Sequence, residues 1–179
     1  MSYKIHIFGA SGSGTTSLGI EISRTLGIQH LDADSYYWKS TEPPFSVKNT
    51  PEDRIIMIRE AIKESSGWVL SGSICSWGDQ LVPEFTLAVF LALDPNVRIK
   101  RLRQRELHRY GSRIESNGDL HERYLQFMDW ASSYDSGGIN IRSKVLHQKW
   151  MKKLECPVIE LNSERPIKDL ASEVVRAAA

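Results

Sequence analysis

Near the N-terminus the spacing of apolar residues changes period once, and that change predicts how the fold opens. Tyr3-Lys4-Ile5-His6-Ile7-Phe8 alternates and ends apolar, as a strand does, whereas Leu18, Ile22 and Leu26 recur at helical spacing until Gly27. Ile28-Gln29-His30-Leu31 predicts a short second strand. Thr50-Pro51-Glu52-Asp53 opens a helix with a capping Thr, Pro at the first position and acids in the first turn. Its buried stripe is Ile55, Ile58 and Ile62, and Ser66-Gly67 ends it. Trp68-Val69-Leu70 is a third strand, and the run from Thr86 to Leu93 has the near-continuous apolarity of a central parallel strand covered on both faces. Asp94-Pro95 follows. A metal-binding acid is one reading, but an N-cap and first helical position account for both residues. A helix from Pro95 and a polar, turn-rich connector over Gly111 to Gly118 come next. Asp119-Leu120-His121-Glu122 predicts a capping box for a helix with an apolar stripe of Tyr124, Phe127, Met128 and Ala131. Ser136-Gly137-Gly138 breaks that helix, and Arg142-Ser143 opens another through Trp150 to Leu154. Pro157-Val158-Ile159-Glu160-Leu161 is the fifth strand, and Pro166 starts the terminal helix. Five short strands alternating with helices predict an α/β protein, a parallel sheet sandwiched between helices. With no repeat or linker, residues 1–179 are expected to form a single domain.

The junction of the first strand and first helix carries the densest chemistry. Gly9-Ala10-Ser11-Gly12-Ser13-Gly14-Thr15-Thr16-Ser17 has the glycine spacing of a phosphate-binding loop, in which successive backbone N–H groups turn around an anion at a helix N-terminus. Thr16 keeps the hydroxyl that would ligate Mg²⁺, whereas Thr15 occupies the position of the Lys that reaches the β/γ-phosphates. A plain capped connector is the other reading, but three glycines at these spacings exceed what a connector needs.

Composition narrows the classes. The 23 Lys+Arg nearly balance 22 Asp+Glu, which argues against a protein living on nucleic acid. Cys75 and Cys156 lack ligand spacing and read as small buried residues in a reducing compartment, so neither a metal cluster nor a disulfide scaffold is expected. The first strand begins at once, without a basic leader or long apolar run, so a cytoplasmic protein without a membrane partner is expected.

Three further features are candidates for the site. Asp32-Ala33-Asp34 follows the second strand, where ligands of open parallel sheets sit. One acid could serve a metal's water shell and the other an acceptor hydroxyl, or both could be turn and capping residues. From Ser35 to Asn49 the aromatic residues Tyr36, Tyr37, Trp38 and Phe45 suggest either a flap over a small-molecule site or a satellite hydrophobic cluster. Arg101, Arg105 and Arg109 recur every four residues in a helix that also holds Arg98, Lys100 and Arg103, with Glu106 as its one acid. They form either a solvated face or a polyphosphate clamp. A basic helix followed by a hinged helical hairpin is also what a closing lid needs, here about 109–143, with Arg142 at its far end.

With these residues in view, the chain resembles the P-loop kinases of the nucleoside-monophosphate and shikimate kinase group across nearly its full length. The likeness is strongest to adenylate-kinase-like P-loop ATPases, including topology-modulation-type proteins. The resemblance implies a three-layer P-loop NTPase fold with strand order 2-3-1-4-5, and ATP and Mg²⁺ as cofactors. Arg101-Leu102-Arg103-Gln104-Arg105 is similar to the adenylate kinase Arg-Leu-x-x-Arg element, which implies Arg101 against adenine and Arg105 on phosphate. Asp32-Ala33-Asp34 resembles the shikimate kinase Asp-Thr-Asp, which implies Asp32 on the metal side and Asp34 on the acceptor. The expected catalytic set is Asp32, Asp34, Arg105, Arg109 and Arg142. Residues Gly9 to Ser17 with Arg101 and Arg105 would bind nucleotide, and Thr16 with Asp32 the metal. Thr15 departs from the loop Lys, and Ser71 stands where nucleotide kinases often have an Asp after the third strand. The expected function is phosphotransfer from ATP to a small hydroxylated or phosphorylated acceptor. The alternative is a nucleotide-binding regulator or slow ATPase, touching nucleic acid through the basic helix. Monomer and homodimer are both compatible, and the sequence selects neither the acceptor nor ATP over GTP.

Overall fold

Parallel pairing organises the computed structural model, which describes residues 2–179. Five strands, β1 (Lys4–Gly9), β2 (Gln29–Asp32), β3 (Trp68–Ser71), β4 (Leu87–Ala92) and β5 (Val158–Asn162), form one all-parallel sheet in the order 2-3-1-4-5. The helices are α1 (Thr15–Leu26), α2 (Ala33–Tyr37), α3 (Pro51–Ile62), α4 (Pro95–Tyr110), α5 (His121–Ser132), α6 (Lys144–Met151) and α7 (Ile167–Ala178), with short 3-10 segments at Asp79–Glu84 and Gly111–Ile114.

Alternation along the strands separates two cores. Ile5 and Ile7 of β1, Val69 of β3 and Leu87, Val89 and Leu91 of β4 meet α1 and α7 through Leu18, Ile22, Leu170 and Val174. On the other face Phe8, Trp68, Leu70, Ala88 and Phe90 meet Ile55, Ile58 and Ile62 of α3 and Trp150 of α6. These are the layers of the expected three-layer sandwich, with β1, central and buried, delivering its last residues to the loop before α1. A smaller cluster of Leu102, Met128 and Ala131 joins α4 to α5.

The caps are mostly those expected. The Thr50 hydroxyl accepts from the Asp53 N–H with Pro51 in the first turn, and the Asp94 carboxylate accepts from Asn96 and Val97 as the cap of α4. Gly27 ends α1 at φ 65°, and Ser143 caps α6 through the Leu146 N–H. The expected capping box before α5 is absent. Leu120 holds the cap position without a side-chain bond, because the Asp119 carboxylate is taken by Arg113 at 2.7 Å, a charge-assisted contact that outcompetes a neutral N–H. Other corrections are smaller. The segment after β2 starts as the short α2 before becoming irregular, α3 stops at Ile62, ahead of Ser66-Gly67, and the free Cys75 and Cys156 are only partly buried.

Candidate active site

At the carboxyl end of β1 the chain turns sharply through Ala10 to Gly14, with a Ser13 N–H bond to the Ala10 carbonyl at 3.0 Å. Gly12 and Gly14 have φ of 86° and 92°, a region L-residues rarely occupy. Gly12 is also held by proximity: a Cβ there would sit 2.8 Å from Leu102 Cγ and 3.1 Å from the Arg98 carbonyl, so α4 lies directly across the loop. Gly14 caps α1 without a side chain, and no acid occupies the first turn. The first-turn N–H groups therefore have no side-chain acceptor, and the positive end of α1 faces outward. Ser13 adds a hydroxyl that is buried and lacks a partner. A free helix N-terminus, a left-handed glycine turn and an orphaned hydroxyl fit a phosphate chain. Ala10 is buried, Ser11 and Thr15 are partly exposed, and Ser17 is exposed.

The loop is joined to the end of β2 by one hydrogen bond. Thr16 Oγ1 donates to Asp32 Oδ2 at 2.8 Å, while Asp32 Oδ1 accepts from the Asp34 N–H at 3.0 Å and caps α2. Asp32 is thus both a cap and the neighbour of the loop hydroxyl, a pairing suited to a hydrated divalent cation. Asp34 reaches water, yet the protein packed around it raises its carboxyl above the ordinary range; Arg142 opposes the shift, Asp32 reinforces it, and Arg105 and Arg109 oppose it more weakly. The charges of three of the expected basic residues therefore act on the second acid, without an ion pair to it among the described residues.

The arginines themselves divide. Arg98 is buried, donating to the Ala131 carbonyl at 2.8 Å and to Asp135 at 2.7 Å, and it braces α4 against α5. Arg101 lies apart from Arg105 and Arg109 and donates to the Ser163 carbonyl in the turn after β5, at 3.2 Å. Arg105 donates through Nε (2.9 Å) and Nη2 (2.8 Å) to Glu106 Oε1, and Arg109 lies 3.8 Å from the same oxygen. Arg142 is 5.4 Å over the Trp130 ring and has no hydrogen-bonded or ion-paired acid among the described residues.

A buried polar row joins Ser73, after β3, to His147 and Tyr134, two residues that sequence reasoning missed. Ser73 Oγ meets His147 Nε2 at 3.0 Å, and His147 Nδ1 meets the Tyr134 hydroxyl at 2.8 Å. Burial, helped by the nearby charge of Arg142, lowers the His147 pKa to about 3, so the ring is neutral. The one sequence signal was that His147 falls between Ser143 and Trp150 at helical spacing. Ser71 is fully buried and pairs with His30 Nε2 at 2.9 Å.

The residues from 35 to 49 do fold back beside the site. An antiparallel bridge pairs Trp38 with Lys48, and the buried Arg54 of α3, also unforeseen, places its guanidinium 3.8 Å over Tyr37 and donates twice to the Asn49 carbonyl. Trp77 adds a second ring 6.1 Å from Tyr37.

Comparison with known proteins agrees with this geometry. The family described as "AAA domain" matches residues 5–126. The chain is 38% identical over 175 residues to "Uncharacterized protein YqaC" of Bacillus subtilis (strain 168), covering 98% of this chain and 97% of that one. Among solved structures it is similar to the shikimate kinase of Bacteroides thetaiotaomicron, at TM-score 0.56 and 16% identity over 98% of this chain and 97% of that chain. A gluconokinase of Sinorhizobium meliloti 1021 gives TM-score 0.55 and 17% identity over 98% and 91%. At such identities these two establish the fold and its strand order.

Proposed function

The chain belongs to the AAA-domain family of adenylate- and shikimate-kinase-like P-loop proteins, and within that family we propose that it is an ATP-dependent phosphotransferase acting on a small, hydroxylated, anionic acceptor. The observation that carries this reading is the 2.8 Å bond from Thr16 to Asp32, which joins the phosphate loop to an acid pair flanked by arginines. Residues 10–16 would hold the nucleotide phosphates, and Thr16 with Asp32 would hold Mg²⁺, whose charge neutralises phosphate oxygens. Arg101, beside the turn after β5, would face the base. A raised carboxyl is a better proton acceptor, so Asp34 would take the proton of the acceptor hydroxyl as the acceptor oxygen bonds to the terminal phosphorus and the bond from that phosphorus to the bridging oxygen breaks, with ADP leaving. Arg142, which makes no hydrogen bond or ion pair with an acid among the described residues, supports an anionic group on the acceptor. The lid of this unit would be residues 109–143, drawing on a cytoplasmic nucleotide pool.

A second reading, a nucleotide-binding regulator or slow ATPase, is favoured by Thr15 in place of the loop Lys. Contact of the basic helix with nucleic acid is less favoured, since Arg98, Arg101 and Arg105 are engaged internally. The test is ATP-to-ADP conversion against a library of hydroxylated carboxylates and phosphate esters. An acceptor should accelerate wild type, and Asp34→Asn should lose roughly 10²–10⁴ of that turnover while its ADP affinity stays within about twofold. Nucleotide binding with no acceptor effect would favour the regulator, and full activity in Asp34→Asn would reduce Asp34 to a turn residue.

A further inference from the structure

Glu106 is the one acid in a helix otherwise crowded with cations, and it is 7% exposed. It continues the buried stripe of α4 formed by Arg98 and Leu102, the two residues that lie against Gly12 of the phosphate loop. One turn beyond that contact, a single Glu106 oxygen takes Nε and Nη2 of Arg105 at 2.9 and 2.8 Å and stands 3.8 Å from Arg109. Rings bracket both guanidiniums: Phe127 of α5 is 5.6 Å from Arg105, and Phe45 of the flap is 5.5 Å from Arg109. Without a nearby anion, two guanidiniums on adjacent turns would repel each other and swing freely. Glu106 is attached to the buried stripe, so it can fix one edge of the Arg105 fork and leave Nη1 free of it.

We propose that Glu106 is a positioning residue for phosphoryl transfer: it holds Arg105 and Arg109 in a fixed stance one turn beyond the contact of α4 with Gly12 and offsets their charge, so that their pull on phosphate is reserved for the transition state. This rests on the phosphotransferase reading. Its physical content is a trade between two states. An acid beside the arginines weakens their hold on a bound nucleotide, whereas the fixed stance strengthens their contact when charge moves onto the transferring group.

The experiment measures ADP and ATP affinity by calorimetry with Mg²⁺, together with steady-state turnover, in wild type, Glu106→Gln, Arg105→Ala and the double variant. Glu106→Gln is nearly isosteric and removes the charge. It should bind nucleotide about 3- to 10-fold more tightly and turn over roughly tenfold more slowly, a split that simple loss of stability does not produce. In the Arg105→Ala background the same substitution should have a clearly smaller effect on both quantities, because the closer of its two routes has been removed and only the 3.8 Å approach of Arg109 remains. Wild-type affinity and turnover in Glu106→Gln, or an undiminished effect without Arg105, would overturn the proposal and leave the phosphotransferase reading standing. A wild-type protein that binds no nucleotide would overturn both. Should Glu106→Gln fail to fold, Glu106→Asp keeps the charge but withdraws it by one methylene; slower turnover at near-normal affinity is then expected, and turnover equal to wild type overturns the proposal.

Discussion

The glycine loop after β1 and the seam that ties residues 109–123 to residues 42–46 are built from different materials. The loop is backbone: left-handed glycines, the open end of α1 and a turn pressed against α4 at Leu102. The seam is side chains. Arg113 bridges Glu42 at 3.1 Å and Asp119 at 2.7 Å, Arg109 lies 5.5 Å from the Phe45 ring, and Arg123 reaches Ser46 Oγ at 2.9 Å and the carbonyls of Pro44 and Phe45 at 3.2 Å. Backbone geometry fixed by strand and helix is rigid and indifferent to salt. Exposed charged contacts contribute about 0–1 kcal/mol each and are screened, which suits a cover that must open. Conditions that separate core from seam therefore separate the two halves of the site.

Acid should have the largest effect, and on the core alone. His6 lies between Phe8 and Phe85, at 5.2 and 4.8 Å, with an unpartnered Nε2, and burial lowers its pKa to about 3 despite the Leu70 carbonyl on Nδ1. His147 is likewise lowered to about 3. The unfolded chain protonates these rings below pH 6.5 and the folded chain only near 3, so stability is complete above that upper value and is lost as pH falls through the window. The slope is about 1.4 kcal/mol per pH unit for each ring. Denaturant melts between pH 7 and 4 should show this slope, and His6→Phe, which keeps an aromatic ring in the stack, should roughly halve it. An unchanged slope in that variant would show that His6 is not the group being titrated.

Gly14→Val tests the opposite wall. No atom lies within 4 Å of a Cβ built there, so the cost within the fold is backbone strain at positive φ, about 1–2 kcal/mol. Nucleotide affinity should fall by more than about 100-fold, because the loop must abandon its anion-facing turn. Wild-type affinity by calorimetry would remove the loop from the binding site.

What was legible in the sequence follows the same division. Strand–glycine–helix spacing placed the loop, and the caps at Thr50, Asp94 and Ser143 announced themselves, because each depends on residues within four positions. Asp119 misled because its partner, Arg113, lies outside the local pattern that a capping box uses. The Ser73–His147–Tyr134 row and the stacking of Arg54 on Tyr37 were not legible, since their members come from separate elements and no spacing links them. Arg101, Arg105 and Arg109 share a helix face as the period requires, yet they part company because Ser163 and Glu106 claim different ones.

The seam should yield the smallest effect and the one most dependent on conditions. Arg123 makes three contacts with residues 44–46, two of them to backbone carbonyls, and its loss leaves no charge unpaired because all three acceptors are neutral. Arg123→Ala should therefore lower global stability by no more than about 1 kcal/mol. Its effect should appear in the flap: protease cleavage between Lys39 and Lys48 should accelerate several-fold at low salt, while ADP affinity stays close to wild type. Raising the salt should speed cleavage in both proteins, since screening weakens the Arg113 pairs with Glu42 and Asp119 that they share. Equal cleavage rates at low salt would show that Arg123 does not hold the flap. A parallel loss of ADP affinity would mean that loop and seam are not the separable halves their construction implies.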